Sequence, residues 1–522
     1  MIRQITVREA TFQLLRAFRM TTIFGNPGST ELPMFRDFPG DFRYVLALQE
    51  SLAVAMADGY AQATRNAALI NLHSAAGVGH ALGNLFTAYR NKTPLVVTAG
   101  QQARSILPYD PFLCATQATE FPKPYVKYSV EPARAQDVPQ AIARAYYMAM
   151  QPPCGPTFVS IPVDDWDCMT TPIASRTVST STRPDAGSIA RVGAALDSSR
   201  RPALVVGSGI DREDAWQEAV KLSERYEAHV YVAPRSARGS FPEDHRLHGG
   251  FLPPMREKIV ERLQDHDLIL VLGAAAFLYH VAGSGPHIPP GSVLFQITED
   301  PEFAAWCPVG TSVVANLKPA LEDLLRRPAP PARESITVRA NLPRVTPSDP
   351  INEAFVLQSL ADTRAPDSII VEEAPGSRAV MQQYLPITRP RTFFTCASGG
   401  LGHGLPAAVG IALGCPDRKV IAVLGDGSSM YSIQGLYSAV QLQLPITFIV
   451  INNQRYQSLD TFATLFGITN PVGTRLSGID FVGLAAAQGC AGWRVEHATE
   501  VAGVLRDALR STRPNLVDVL VS

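Results

Sequence analysis

The apolar run Val420–Leu424 ends in Gly425-Asp426-Gly427-Ser428, and the apolar run Ile446–Ile451 ends in Asn452-Asn453. One carboxylate and one amide oxygen suit a hard divalent cation, Mg²⁺ or Ca²⁺, with phosphate oxygens and water completing its shell. The glycines let backbone approach a phosphate closely. If the two runs are neighbouring parallel strands, their C-terminal ends share one sheet edge, where open α/β sheets bind ligands. Gly, Asp and Asn are turn formers, so a lone GDG would read as an ordinary strand-to-helix turn. The ordered unit strand–GDG–helix–strand–NN is far more specific and points to a metal-held diphosphate.

These residues resemble the diphosphate-binding signature of thiamine diphosphate enzymes. The resemblance implies that Asp426, Asn453 and the backbone carbonyl of Arg455 hold the metal, and that Gly427 and Ser428 sit on the diphosphate. Such a cofactor needs a carboxylic partner for its pyrimidine at the far end of the site. Tyr44–Glu50 (YVLALQE) reads as a strand pattern ending in Glu50 and followed by a helix. Taken alone, Glu50 could equally be a first-turn residue favoured by the helix dipole. Beside the GDG…NN unit, the catalytic reading is the stronger.

Further segments follow in order: Gly25-Asn26-Pro27-Gly28-Ser29, LQES, ADGYA, Asn71–Gly77, PLVVTAGQQ and Ser398–Gly402. Together they resemble the benzoylformate decarboxylase family over essentially the whole chain, most densely in the first and last thirds. The resemblance implies non-oxidative decarboxylation of a small 2-keto acid, an aryl glyoxylate such as benzoylformate, to an aldehyde and CO₂. It places Leu401 under the cofactor as the apolar prop for its bent shape. Asn26, Pro27, Gly28, Gly376, Ser377, Gly399, Gly425 and Tyr456 would line the cofactor. Ser29 would bind the substrate carboxylate, although Ser29-Thr30-Glu31 also reads as a helix N-cap. His73 and His280 would move protons, as groups that titrate near neutrality can; the alternative for His73 is a structural histidine at a strand end, whereas the strand-end position of His280 points to a ligand-binding edge. His80, His229, His245, His248 and His266 read as surface or packing residues.

The chain departs from the family pattern around the substrate. Gln457 replaces a glycine, Thr395 stands where an aromatic residue is usual, and Pro375 and Gly376 replace hydroxyl residues. Phe462 and the pair Phe112-Leu113 keep an apolar pocket. Such changes can shift substrate preference by orders of magnitude, which leaves aliphatic, branched or arylalkyl 2-keto acids as alternatives. A carboligase or aldehyde lyase on the same cofactor is the other alternative. The histidine pair favours decarboxylation, because delivering a proton competes with capture of a second carbonyl.

These groups need scaffolds to hold them. The chain has 522 residues, 46% of them hydrophobic and 18% charged, with a formal net charge of −1. That composition fits an enzyme with large cores and gives no reason to expect nucleic acid or an anionic membrane as partner. No apolar stretch is long enough to span a bilayer. The seven cysteines show no metal or disulfide spacing, which with the lack of a signal-peptide pattern predicts free thiols in the cytoplasm. Met1–Phe18 reads as an amphipathic helix.

Apolar runs at Ala68–Leu72, Pro94–Thr98 and Thr157–Ile161, with a helical pattern over Glu50–Arg65, mark a first α/β unit. Runs at Ala203–Val206, His229–Val232, Leu268–Leu272 and Val293–Ile297 mark a second, and Ile369–Val371, Val420–Leu424, Ile446–Ile451 and Leu516–Val521 a third. Met169–Ser188 and Arg326–Pro350 read as Ser/Thr/Pro-rich linkers. The expectation is three consecutive doubly wound parallel-sheet domains, at 1–170 (pyrimidine-binding), 188–326 (middle) and 350–522 (diphosphate- and metal-binding). Gly207–Gly209 forms half of a dinucleotide loop, too weak a signal to predict a flavin. By the resemblance, one active site draws on two subunits, which implies a homotetramer built from dimers.

Overall fold

The computed structural model describes residues 4–340 and 342–522. Every apolar run named above is a strand or lies within one, give or take a residue at its ends. Among the described residues the strands gather into three six-stranded parallel sheets. The first holds β1 (Thr22–Gly25), β2 (Arg43–Leu46), β3 (Ala68–Leu72), β4 (Leu95–Gln101), β5 (Ser129–Val130) and β6 (Pro156–Pro162), in the order β2-β1-β3-β4-β6-β5. The second holds β7 (Pro202–Val206), β8 (His229–Val232), β9 (His248–Phe251), β10 (Leu268–Leu272), β11 (Val293–Thr298) and β12 (Thr311–Val314), in the order β9-β8-β7-β10-β11-β12. The third holds β13 (Ile369–Glu373), β14 (Phe393–Thr395), β15 (Val420–Gly425), β16 (Ile446–Asn452), β17 (Ala491–Val495) and β18 (Asn515–Leu520), in the order β14-β13-β15-β16-β18-β17. The central strands are buried on both faces, which is why they read as unbroken apolar runs rather than alternating ones.

In each sheet the strand order reverses between the first strand and a central neighbour: β1 and β3, β7 and β10, and β13 and β15. Loops leaving the two strands at such a point diverge and open a crevice at their C-terminal ends. Sequence periodicity cannot locate these points, because they depend on strand order.

Local chemistry refines several boundaries. The amphipathic start is a helix over Val7–Ala17, closed by a Thr6/Glu9 capping box; residues 1–3 of that pattern lie outside the described residues. Glu50 does not end a strand: β2 stops at Leu46, and Glu50 is the first residue of the Glu50–Thr64 helix. The Gln49 side chain caps this helix, accepting from the Ser51 and Leu52 amides at 2.7 and 3.3 Å. The first linker is shorter than its composition suggests. Met169–Thr170 pairs antiparallel with Ile5–Thr6, and Asp185 caps the Ala186–Ser198 helix. All seven cysteines are free, and no helix among the described residues is long and apolar enough to cross a membrane.

The first and third sheets share one core. The Glu50–Thr64 and Gly404–Gly414 helices cross at Gly59 and Gly410, where a Cβ would collide with the carbonyls of Ala407 and Met56. Leu52, Met56, Ala407, Ala408 and Ile411 from these helices belong to a single buried cluster. Beside the crossing, the fully buried Asp58 accepts from Gln62 (2.9 Å) and Asn91 (2.8 Å) and pairs with His403. Burial pushes the Asp58 carboxyl up, but the charge and hydrogen bonds of its partners outweigh it and hold the group below its ordinary value. Gln62 accepts from Arg238 (2.9 Å), which pairs with Asp211 at 3.0 Å, so the network reaches the middle domain.

The helix crossing predicts that Gly410→Ala destabilises the protein by about 1–3 kcal/mol, the usual cost of overpacking. A thermal midpoint within a degree of the parent would show that the two backbones can separate freely.

Candidate functional site

β15 and β16 are paired along their length, so Gly425 and Ile451 lie opposite each other. Their ends are tied by one amide: the Arg455 N–H donates to Asp426 Oδ2 at 3.1 Å and to Asn453 Oδ1 at 3.2 Å. Asp426 also accepts from Gly427 N at 2.6 Å. Its carboxylate is buried and has no cationic partner among the described residues. Burial raises its pKa above the ordinary carboxylate value, against the pull of these backbone amides. The two asparagines separate in role. Asn452 is buried and locked onto Asp518 of β18 at 2.9 Å, while Asn453 turns to the sheet edge.

The next residues are shaped around that edge. Gln454 takes a left-handed φ of 57°. The returning segment Thr474–Leu476 holds the turn through an isolated antiparallel bridge, with Tyr456 N on Thr474 O and Leu476 N on Gln454 O, both at 2.8 Å. The Tyr456 ring packs so closely on Gly427 that a Cβ there would strike it. Gly376 is equally constrained, since its Cβ would lie 2.7 Å from Gln457 Cβ. Ser377 is buried and donates to Glu353 at 2.9 Å. Nearby, Glu373 accepts from the amides of Gly402 (2.6 Å), His403 (2.8 Å) and Gly404. It anchors the loop that carries Gly399 and Leu401, although burial pushes its pKa up to about 7. Gly399 and Gly402 have φ of 75° and 91°, and Leu401 is half-buried between them.

The first sheet presents the second group. Asn26, Pro27, Gly28 and Ser29 leave β1, and His73 leaves β3, on the two sides of the reversal point. Gly28 lies flat against the His73 ring, where a Cβ would collide. Ser29 is exposed and does not cap the short helix at Leu32–Phe35, whose N-cap is Glu31. The sequence reading missed Glu31. It is buried, accepts from Gly28 N at 2.7 Å, and lies 3.1 Å from His73 Nδ1. Thr30 donates its hydroxyl proton to Glu31 and lies 3.1 Å from the same nitrogen. In neutral His73 this pattern puts the proton on Nδ1, pointing to Glu31, and leaves Nε2 as a free base. Glu50 is buried, with Asn26 Nδ2 3.4 Å from Oε1 and His80 Nδ1 3.0 Å from Oε2. His80, read from sequence as a surface residue, therefore lies on the candidate catalytic carboxylate.

His280 joins the middle domain to the third. Its ring meets Phe462 edge-on at 4.6 Å, and Arg235 donates to its Nδ1 at 2.6 Å. A donor at Nδ1 leaves the proton on Nε2, the reverse of His73. Loss of water contact and then the Arg235 charge lower the His280 pKa. Thr395 is buried, and its hydroxyl accepts from Arg378 at 2.6 Å; Arg378 also pairs with Glu372. Phe112 is 87% exposed and Leu113 37%, in a loop held by Ser74 donating to Leu113 O at 2.8 Å. Gln457 Oε1 is a buried acceptor without a partner among the described residues.

The Ser74–Asn91 helix touches the Ser398–Gly402 loop through Asn84 and Thr87. Among the described residues no hydrogen bond or ion pair joins Ser29, Glu50 or His73 to Gly376, Asp426–Ser428 or Asn453–Gln457. A cavity of about 200 Å³ lies elsewhere, at the middle-domain reversal point beside Gly207 and Gly273, lined by Lys92, Arg212, Arg235 and Asp300.

Three family models match in sequence. The N-terminal TPP binding domain of thiamine pyrophosphate enzymes covers residues 5–120, the central domain 189–324 and the C-terminal TPP binding domain 375–519. A benzoylformate decarboxylase from Pseudomonas aeruginosa is 40% identical over 98% of both chains. An acetolactate synthase large subunit from Corynebacterium glutamicum is 28% identical over 99% of this chain and 87% of its own. Two solved structures superpose over nearly the full length. Benzoylformate decarboxylase from Polynucleobacter necessarius has a TM-score of 0.96 at 41% identity, covering 99% of this chain and 98% of its own. The 4-hydroxybenzoylformate decarboxylase from Rhodococcus jostii has 0.97 at 37%, covering 99% of each. The Asp426 carboxylate and Glu50 fall within the matched C-terminal and N-terminal TPP binding domains, and the chain belongs to the thiamine diphosphate enzyme family.

Proposed function

We propose that the chain decarboxylates an aryl 2-keto acid such as benzoylformate, releasing the aldehyde and CO₂. The observation that carries this reading is the pair of half-sites: a buried carboxylate with backbone amides but no cationic partner, beside an amide oxygen on the third sheet, and a buried glutamate bonded by His80 on the first. Likeness to two aryl glyoxylate decarboxylases along nearly the whole chain supports it.

The residues fit the cofactor. Asp426 lacks a cation, and Gly427 leaves a cradle that a Cβ would fill. Among the described residues no cluster of three or more His, Cys, Asp or Glu could hold a metal alone. The set instead is Asp426 and Asn453 with the Arg455 carbonyl, which suits Mg²⁺ shared with phosphates. Gly376, Ser377, Gly427 and Ser428 would line the diphosphate. Thiamine diphosphate, when bound, supplies a nucleophilic carbon that adds to the ketone and accepts the electron pair released with CO₂.

The chain's own groups position the substrate and move protons. Glu50 holds a proton opposite the pyrimidine, in a position shielded from water. Ser29, exposed in the loop after β1, orients the substrate carboxylate. His73 offers a base at Nε2, and His280 offers a proton at Nε2. A carboligase needs no such donor, so this opposed pair favours decarboxylation over the reaction of the acetolactate synthase relatives. Gln457 Oε1 lacks a donor, so a ring hydroxyl on the substrate would satisfy it. Among the described residues no hydrogen bond or ion pair joins Glu50 to Asp426, which agrees with a working unit of at least a dimer. The exposed Leu46, Leu48, Phe112, Met430 and Tyr431 give it apolar surface.

Assays with added thiamine diphosphate and Mg²⁺ on benzoylformate, 4-hydroxybenzoylformate, phenylpyruvate, pyruvate and branched 2-keto acids test the assignment. An aryl glyoxylate should give the highest kcat/KM and an aldehyde product; a dominant aliphatic acid, or a carboligation product, would sink it. Glu50→Gln should lower kcat by more than about 100-fold while cofactor binding persists. Asp426→Ala should weaken Mg²⁺-dependent cofactor affinity by more than about 100-fold, read by titration calorimetry. Arg235→Met removes a positive charge beside His280, so the imidazolium is favoured and its NMR titration midpoint moves up. The move should be partial, because the loss of water contact remains.

A further inference from the structure

His80 is left over by the proposed chemistry, yet it touches the residue on which that chemistry turns. The Ser74–Asn91 helix starts immediately after His73, and His80 is seven residues further on. At 3.6 residues per turn that spacing returns to the same helix face. Each histidine meets a carboxylate there: His73 meets Glu31, and His80 Nδ1 lies 3.0 Å from Glu50 Oε2. Gly77, on the turn between them, leaves the room; a Cβ there would lie 3.4 Å from Glu50 Cγ. The His80 side chain is 62% exposed and that of Glu50 10%, so the imidazole covers the open side of an otherwise enclosed carboxylate.

The remaining groups around Glu50 make this contact unequal to the others. Asn26 reaches Oε1 at the longer distance of 3.4 Å and carries no charge. Burial first, and then the negative charges of Glu31 and Glu50, push the hydroxyl of Tyr44, on β2, well above its ordinary value. Its hydroxyl has no hydrogen-bond partner among the described residues. His73 is occupied by Glu31 and Thr30. Among the described residues, His80 is the one group that both bonds Glu50 and can become its counter-charge.

We propose that His80 is a positioning residue for Glu50: it fixes Oε2, presents Oε1 to the pyrimidine of the cofactor, and sets how readily the carboxyl keeps its proton. This rests on the reading of Glu50 as the cofactor's carboxylic partner. A hydrogen-bond donor or positive charge at Oε2 favours the ionised carboxylate. Removing it makes the carboxyl hold its proton to higher pH.

The test uses the full-length enzyme loaded with thiamine diphosphate and Mg²⁺. Circular dichroism of the bound cofactor, followed against pH without substrate, reports the pyrimidine's protonation state independently of turnover. His80→Leu should move the midpoint up by about one pH unit and lower kcat by roughly 10-fold, with KM for the keto acid unchanged. His80→Asn keeps a donor where Nδ1 stood and should restore most of kcat and the lower midpoint. Since His80 is largely exposed, neither change empties a core. A His80→Leu enzyme with the parent's midpoint and kcat, alongside a Glu50→Gln enzyme that has lost both band and turnover, would overturn the inference while leaving the Glu50 reading intact. If Glu50→Gln also behaves like the parent, both fall.

Discussion

Two helices touch through their backbones, and the arrangement of the molecule follows from that contact. Gly59 and Gly410 let the Glu50–Thr64 and Gly404–Gly414 helices approach until carbonyls fill the space a side chain would take. The contact merges the cores of the first and third sheets. It also fixes two functional segments, since one helix begins with Glu50 and the other is preceded by the Gly399–Leu401 loop. Asp58 and His403, buried beside the crossing, add direction to an apolar contact that would otherwise tolerate sliding.

Charge is then placed where burial makes it unstable without a partner. Asp426 sits at a strand end with amides but no cation, and Glu50 at a helix start with a histidine on one oxygen. Such sites cost folding energy and gain it back on binding. The outer sheets share one strand order and place their loaded loops at equivalent edges. The middle sheet has a different order and contributes through the ends of its strands, with Arg235 after β8 and His280 after β10.

Hydrogen-bond direction distinguishes two histidines that look alike in sequence. His73 gives its Nδ1 proton to Glu31, while His280 accepts at Nδ1 from Arg235. One presents a lone pair and the other a proton, and neither Glu31 nor Arg235 is near its histidine in the chain. This is chemistry made by contact between elements.

Sequence by itself determined the three parallel-sheet units, because strands buried on both faces must be apolar throughout. It also determined the GDG…NN anchor, since its parts sit at the ends of consecutive strands and their spacing survives folding. The resemblance carried by these motifs marked Ser29, Glu50, His73 and His280. Only the tertiary structure decided that Glu50 opens a helix rather than closing a strand, because the Gln49 cap depends on side-chain geometry. It alone separated Asn452, held by Asp518, from Asn453 at the edge. Glu31, Arg235 and His80 were illegible beforehand for the same reason: each acts through a side chain that the sequence sets 30 or more residues away, and periodicity carries no record of which strands become neighbours.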